Sequence, residues 1–85
     1  MTKTIRSSGH MALCDALIAA RKSAGLTQAQ LADRLECHQS FVARVESGQR
    51  RIDVVELVVI CRAIGTTATD ILAEVDASTP VEHRI

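Results

Sequence analysis

Apolar side chains recur every three or four residues along most of this chain, which is the period of helices with one buried face. Between residues 10 and 24 the pattern includes Leu13 and Leu17, and Gly25 then supplies a natural end. The only proline lies at position 80, so no proline interrupts the middle of the chain. The pattern predicts an all-α fold whose first helix covers residues 10–24.

Two short helices are expected next, because the apolar period changes phase between them. Thr27 and Gln30 form a capping-box pattern, which marks the start of a helix. The period breaks after Leu35 and resumes at a new phase with Val42 and Val45. The predicted second and third helices span residues 28–35 and 39–47.

A fourth and a fifth helix are predicted from the same signals. Asp53 and Glu56 form another cap pattern before an apolar segment at 54–64. Thr67 and Asp70 repeat it and open a short fifth helix, after which the period is lost. The predicted divisions are a flexible N-terminal arm, one domain and a mobile C-terminal tail, at residues 1–9, 10–75 and 76–85.

The third predicted helix has a polar outward face. A tight turn makes the second and third helices cross steeply, so Val42 and Val45 face the core and Gln39, Ser40 and Arg44 face outward. Serine is small enough to let a helix enter a major groove, while glutamine suits adenine and arginine suits guanine. This face is therefore a candidate for reading base edges in double-stranded DNA.

The charge is unevenly distributed along a chain whose formal net charge is zero. Residues 1–51 carry eight Lys and Arg against four acids, whereas residues 52–85 carry two against six. A basic half beside an acidic half suggests a polyanionic partner on one side, although ordinary variation in charge is an alternative.

A resemblance to a known family rests on TQAQLADRLECHQSFVARVESGQRR, residues 27–51, and on GQRRIDVVELVVICRAIGTTATDIL. Both are similar to the Cro/C1-type (XRE) regulators of prokaryotes and phages, over about residues 10–75. The resemblance implies a five-helix, lambda-repressor-like domain with the helix-turn-helix at helices two and three. It also places the third helix in the major groove. The base-contacting candidates are then His38, Gln39, Ser40 and Arg44.

The resemblance assigns further roles outside the third helix. It implies that Arg21 and Glu46 form a structural, partly buried ion pair. Glu36 departs from the family, which often has glycine at this turn position because glycine tolerates a left-handed backbone. The resemblance also implies four phosphate-contacting candidates: Gln28, Gln49, Arg50 and Arg51. The alternative for Gln28 is a solvated helix start, and the alternative for the other three is a solvated turn.

The expected assembly is a homodimer, because one reading helix gives little specificity and paired helices meet successive major grooves. Val55 and Val59 also add apolar surface away from the core face of the fourth helix. The alternative is that these C-terminal residues complete the core of a monomer. By resemblance, the dimer contact involves Val58, Val59, Ile71, Leu72 and Val75.

The predicted function is a sequence-specific, dimeric transcriptional regulator that represses by occupying an operator. The alternative is a protein-interaction module, or an antitoxin-type partner-binding protein, on the same fold. No catalytic motif is present, so neither an enzyme nor a small-molecule substrate is expected.

The sequence predicts no metal site and no cofactor. His10 and Cys14 lack a second ligand pair, and the odd cysteine count of three favours reduced thiols. Neither an apolar stretch of about 18 residues nor a signal peptide is visible, which predicts a cytoplasmic protein without a membrane span.

Overall fold

A computed structural model describes residues 7–85, and its regular structure over that range is entirely helical. This confirms the predicted all-α class and the number of helices. The helices are α1 Ser8–Ser23, α2 Gln28–Leu35, α3 Gln39–Glu46, α4 Val54–Ile64 and α5 Ala68–Ser78.

The helix ends differ from the predicted ones at both ends of the chain. The hydroxyl of Ser7 accepts from the His10 amide, so α1 begins at Ser8, inside the predicted arm. At the other end α5 continues to Ser78, so the first part of the predicted tail is helical. Ile71 is the only residue of α5 that is buried, so little apolar period was available to mark the last turn. The rest of the predicted arm, residues 1–6, lies outside the described residues.

Side-chain caps fix the starts of α2 and α4 at the predicted positions. The Thr27 hydroxyl accepts from the Gln30 amide at 3.1 Å, and the Gln30 side chain accepts from the Thr27 amide at 2.9 Å. Asp53 and Glu56 make the same reciprocal pair at 2.7 and 2.9 Å. Each cap satisfies two backbone donors that a helix start leaves unpaired.

One apolar cluster joins all five helices. Its centre is built from Leu17, Leu31, Val42 and Ile60, whose relative exposures are 5% or less. Ile71 joins them at 4% exposure. Because α1 packs along α5 while α3 rests on α2 and α1, the outer side of α3 is left uncovered by the rest of the described chain.

The burial of Ile71 therefore removes this residue from the predicted dimer contact. Its side chain completes the monomer core, as the alternative interpretation of the C-terminal helices proposed, and offers no surface to a second copy. Over residues 7–85, none of the helices is long and apolar enough to cross a membrane.

Candidate nucleic-acid interface

The inward and outward faces of α3 are sharply different. Val42 and Val45 are 3% and 4% exposed, whereas Gln39, Ser40 and Arg44 are exposed to solvent. The Arg44 guanidinium donates no hydrogen bond within residues 7–85. The two valines anchor the helix from behind and leave its polar side available to a ligand.

His38 lies at the start of this polar face. It occupies the N-cap position of α3, with extended backbone, and its side chain makes no capping hydrogen bond. The imidazole is exposed beside Gln39 at the end of the turn. The structure thus brings the four base-contacting candidates onto one surface.

The turn before α3 has the left-handed geometry that glycine favours. Glu36 adopts φ 55° and ψ 45°, and it is the only residue other than glycine with a positive φ among residues 7–85. Its amide donates to the Asp33 carbonyl, and the Cys37 amide donates to the Ala32 carbonyl. The turn keeps its shape and carries the strain of a side chain at this position.

A buried ion pair ties α1 to α3. Arg21 Nε lies 2.7 Å from Glu46 Oε2, Arg21 Nη2 lies 3.0 Å from Glu46 Oε1, and the side chains are only 10% and 6% exposed. The third nitrogen of the guanidinium, Nη1, donates to the Leu26 carbonyl at 2.8 Å. This arrangement is the one that the resemblance implied, and it sets the angle of α3 against α1.

Gln28 extends this ion pair to the outer surface. Its Nε2 donates to Glu46 Oε1 at 2.9 Å, and its Oε1 accepts from Gln39 Nε2 at 3.4 Å. The Gln28 side chain is thus oriented by other side chains and is not simply solvated. No local sequence pattern indicates this chain of contacts from the core to the first residue of α3, because it joins residues 11 and 18 apart.

The three loop candidates differ in whether their side chains are bound to other parts of the protein. Gln49 and Arg51 are exposed, and the Arg51 guanidinium donates no hydrogen bond within residues 7–85. Arg50 instead makes a two-point contact with Glu56, and its guanidinium lies 4.7 Å from the centroid of the Phe41 ring. Among the three candidates, Arg50 is thus the one whose charge is already paired within the protein.

Three of the four remaining dimer candidates line one of two surface grooves. Val59, which is 48% exposed, lines a groove with Val55 and Phe41. Leu72, which is 47% exposed, lines another with Val75. Val58 and Val75 are partly buried. These candidates thus lie on two helices, Val58 and Val59 on α4 and Leu72 and Val75 on α5.

Two thiols and one histidine have pKa values that burial shifts. Burial raises the pKa of the Cys14 and Cys61 thiols, and Cys14 Sγ donates to the Val45 carbonyl at 3.3 Å. Burial, followed by the positive charge of Arg51, lowers the pKa of His10. Residues 7–85 contain no group of three or more acidic, His or Cys side chains placed to hold a metal ion.

Two short helices, α2 and α3, are joined by a tight turn, and α3 presents a polar outward face. This arrangement is a helix-turn-helix. A family model with that description, Helix-turn-helix, matches residues 17–71. The chain belongs to the Cro/C1-type (XRE) helix-turn-helix family. As a member of it, the protein is a DNA-binding transcription regulator whose ligand is double-stranded DNA.

Solved structures show the same fold. An XRE-family-like protein from Pseudomonas syringae pv. tomato is 46% identical, with a TM-score of 0.77 over 85% of this chain and 88% of that one. The clp gene regulator ClgR of Corynebacterium glutamicum is similar in two structures. One is 26% identical, with a TM-score of 0.76 over 87% of this chain and 96% of that one. The other is 27% identical, with a TM-score of 0.74 over 82% of this chain and 74% of that one. A search of the curated proteins finds no match.

Proposed function

We propose that this XRE-family protein represses transcription as a homodimer that reads an operator through the major groove. The observation that carries the proposal is the outward face of α3, where Gln39, Ser40 and Arg44 are exposed while the valines behind them are buried. Occupation of a promoter by such a protein excludes the polymerase without any cofactor.

Gln39 is the proposed adenine reader. Its Nε2 donates one hydrogen to Gln28 Oε1, so its Oε1 and a second N–H remain for a ligand. Adenine presents one acceptor and one donor in the major groove, and this pair matches the remaining groups of the amide. The contact with Gln28, which is itself held by Glu46, fixes the direction of the amide before DNA binds.

Arg44, Ser40 and His38 supply the rest of the proposed reading surface. Arg44 lies one helical turn after Ser40, and its guanidinium suits the two acceptors of guanine. Ser40 is small enough for the helix to approach the bases closely. His38, at the N-terminal end of α3, contacts a base at the edge of the site.

The proposed phosphate contacts lie on both sides of this surface. The start of α2 offers backbone N–H groups that the helix itself leaves unpaired, and the second N–H of the Gln28 amide lies beside them. Gln49 and Arg51 are exposed in the loop after α3 and suit the backbone on the other side.

Selection of bound duplexes from a random pool, followed by gel-shift competition at physiological salt, tests the proposed reading. We expect a consensus with two half-sites whose centres are about 34 Å apart along the helix. A reporter gene under a promoter carrying that consensus should fall in expression when the protein is present. The proposal fails if the selected duplex binds no more tightly than random duplex.

Pairing of two copies is proposed through the exposed apolar residues of α4 and α5. Val59→Ser and Leu72→Ser each remove one apolar side chain from a different groove, and Val81→Ser, at a position 96% exposed, is the control. Sedimentation equilibrium should show a weaker dimer for at least one of the first two variants and not for the third. A wild-type protein that stays monomeric on its two-half-site duplex contradicts the dimer.

A second candidate function, docking of another protein, is favoured by the first turns of α4. Val54 and Val55 are 73% and 71% exposed there, which is unusual for valines on a small domain. Val54→Ser, at a valine that lines neither groove, should then abolish capture of the partner while leaving the selected duplex bound as tightly as before. Loss of DNA binding in this variant would speak against a separate docking role.

A further inference from the structure

Arg50 connects three separate parts of the domain. Its Nη1 and Nη2 donate to Glu56 Oε1 and Oε2 at 3.1 and 3.0 Å, which links it to α4. Its guanidinium lies 4.7 Å from the centroid of the Phe41 ring, which belongs to α3. Its Nη1 also donates to the carbonyl of Arg51 at 2.6 Å. One side chain therefore contacts α3, α4 and the loop between them, residues 47–53.

These contacts depend on the shape of the guanidinium and not only on its charge. A planar fork can meet both oxygens of a carboxylate and still lie flat against a ring, which the point charge of a lysine cannot do. The paired geometry lowers the pKa of Glu56, with the hydrogen bond from Arg50 as the largest cause. Glu56 is fixed in turn by the amide of Asp53. Arg50 thus has an ionised, oriented partner.

The first part of the loop is tied to the end of α3. The amides of Gln49 and Arg50 both donate to the carbonyl of Arg44, at 3.0 and 3.2 Å. The contact from Arg50 to the next carbonyl extends this order to Arg51. The two exposed phosphate candidates, Gln49 and Arg51, therefore flank the residue that holds the loop.

We infer that Arg50 is a positioning residue, which acts through Phe41 and Glu56 to hold Gln49 and Arg51 against the DNA backbone without contacting a phosphate itself. The inference rests on the proposed phosphate contacts of the loop. It replaces the role that the sequence suggested for Arg50, because a guanidinium committed to a carboxylate and a ring has little left for a phosphate.

Charge-conserving variants separate positioning from direct contact. Arg50→Lys and Glu56→Asp keep every formal charge but remove the two-point geometry. Arg62→Lys, at an exposed arginine of α4 outside the proposed DNA-contacting surface, is the matched control. Each variant is titrated with the duplex selected by the wild type, at several salt concentrations. Circular dichroism confirms that all of them fold.

We expect Arg50→Lys and Glu56→Asp each to weaken binding about tenfold, and their combination to weaken it little further, because both remove the same contact. The dependence of log affinity on log salt should keep its slope in both, since Arg51 still meets its phosphate in the complex and the lost affinity is the cost of ordering the loop on binding. Arg62→Lys should bind as the wild type does. Unchanged affinity of Arg50→Lys, together with a slope shallower by about 0.9 in Arg50→Ala, is the result for a direct phosphate contact and overturns the inference.

Amide hydrogen exchange without DNA gives a second readout. Arg50→Lys should accelerate exchange at Gln49 and Arg50, whereas Arg62→Lys should not. Equal exchange in the two variants overturns the positioning role even if the protein reads DNA. Accelerated exchange in a protein without sequence preference supports the role of Arg50 in ordering the loop, while the proposed function alone fails.

Discussion

Glu46 shows how one residue serves both the core and the interface. It neutralises Arg21 in the interior, and the same carboxylate accepts from Gln28, which contacts the first residue of α3. A buried carboxylate and guanidinium stabilise little as a pair, yet removing one partner leaves the other charge uncompensated. The identity of Glu46 therefore matters for stability and for the direction of the Gln39 amide.

Glu46→Gln should lower the free energy of unfolding by about 3 to 5 kcal/mol, because it leaves the Arg21 charge buried without a counter-ion. Urea denaturation at pH 7 measures this. Glu56→Gln is the matched control, since that pair is about one third exposed and its loss should cost no more than about 1 kcal/mol. Equal losses in the two variants would contradict the structural role of the buried pair.

Glu36 carries the cost of a left-handed backbone at φ 55°. Glu36→Gly should raise the free energy of unfolding by up to about 1 kcal/mol, with part of the gain offset by the greater freedom of glycine in the unfolded chain. Glu36→Ala keeps a Cβ and should give no such gain. Thermal unfolding of the two variants decides, and a glycine variant no more stable than the alanine one shows that the turn is not strained.

At the scale of elements, the proposed complex assigns base edges to α3 and phosphates to the loop after it. Arg44 projects from the helix, whereas Arg51 lies beyond its end, and both side chains are exposed. A base contact discriminates between sequences, while a phosphate contact binds all of them alike. The same substitution at these two arginines should therefore have different consequences.

Arg44→Ala should weaken binding to the selected duplex by about 1 to 3 kcal/mol and relax the preference at one base pair. Arg51→Ala should weaken every duplex similarly and reduce the slope of log affinity against log salt by about 0.9. Gel-shift titrations over a salt series, on selected and random duplexes, measure both quantities. If Arg44→Ala weakens both duplexes equally, α3 does not read sequence through this residue.

At the scale of the whole molecule, the start of α1 lies within electrostatic reach of the loop after α3. The charge of Arg51 acts on His10, whose pKa is lowered first by burial and then by this charge. Gly9, beside it, is buried where α1 meets the chain after α5, and a Cβ there would overlap the Thr79 hydroxyl. The start of α1 is thus packed from two sides.

This packing predicts a dependence of stability on pH. The ordinary pKa of His10 is 6.5 and the folded value is lower, so the unfolded chain takes up the proton first as the pH falls. Stability should be full above pH 6.5 and decline as the pH falls through it. Chemical denaturation between pH 7.5 and 5.5 measures the decline, and His10→Gln should reduce it. His38→Gln keeps His10 in place and should retain it; equal curves for the two variants would exclude His10 as the cause.

The sequence by itself determined the helices, two capping boxes and the polar face of α3. These features depend on residues three or four apart, such as Thr27 and Gln30, whose interaction is fixed as soon as a helix forms. The amphipathic period places Val42 inward and Arg44 outward without reference to the rest of the chain. The family motif added the ion pair between Arg21 and Glu46.

Only the tertiary structure decided which partners the remaining side chains take. The bond of Gln28 to Glu46 joins residues 18 apart in the sequence, and Arg50 meets Phe41 only because α3, the loop and α4 converge. Ile71 was an apolar residue that could have served either the core or a dimer, until the packing of α5 buried it. Periodicity gives the face that a residue occupies on its own helix. What lies opposite that face depends on how the helices pack, which no local pattern contains.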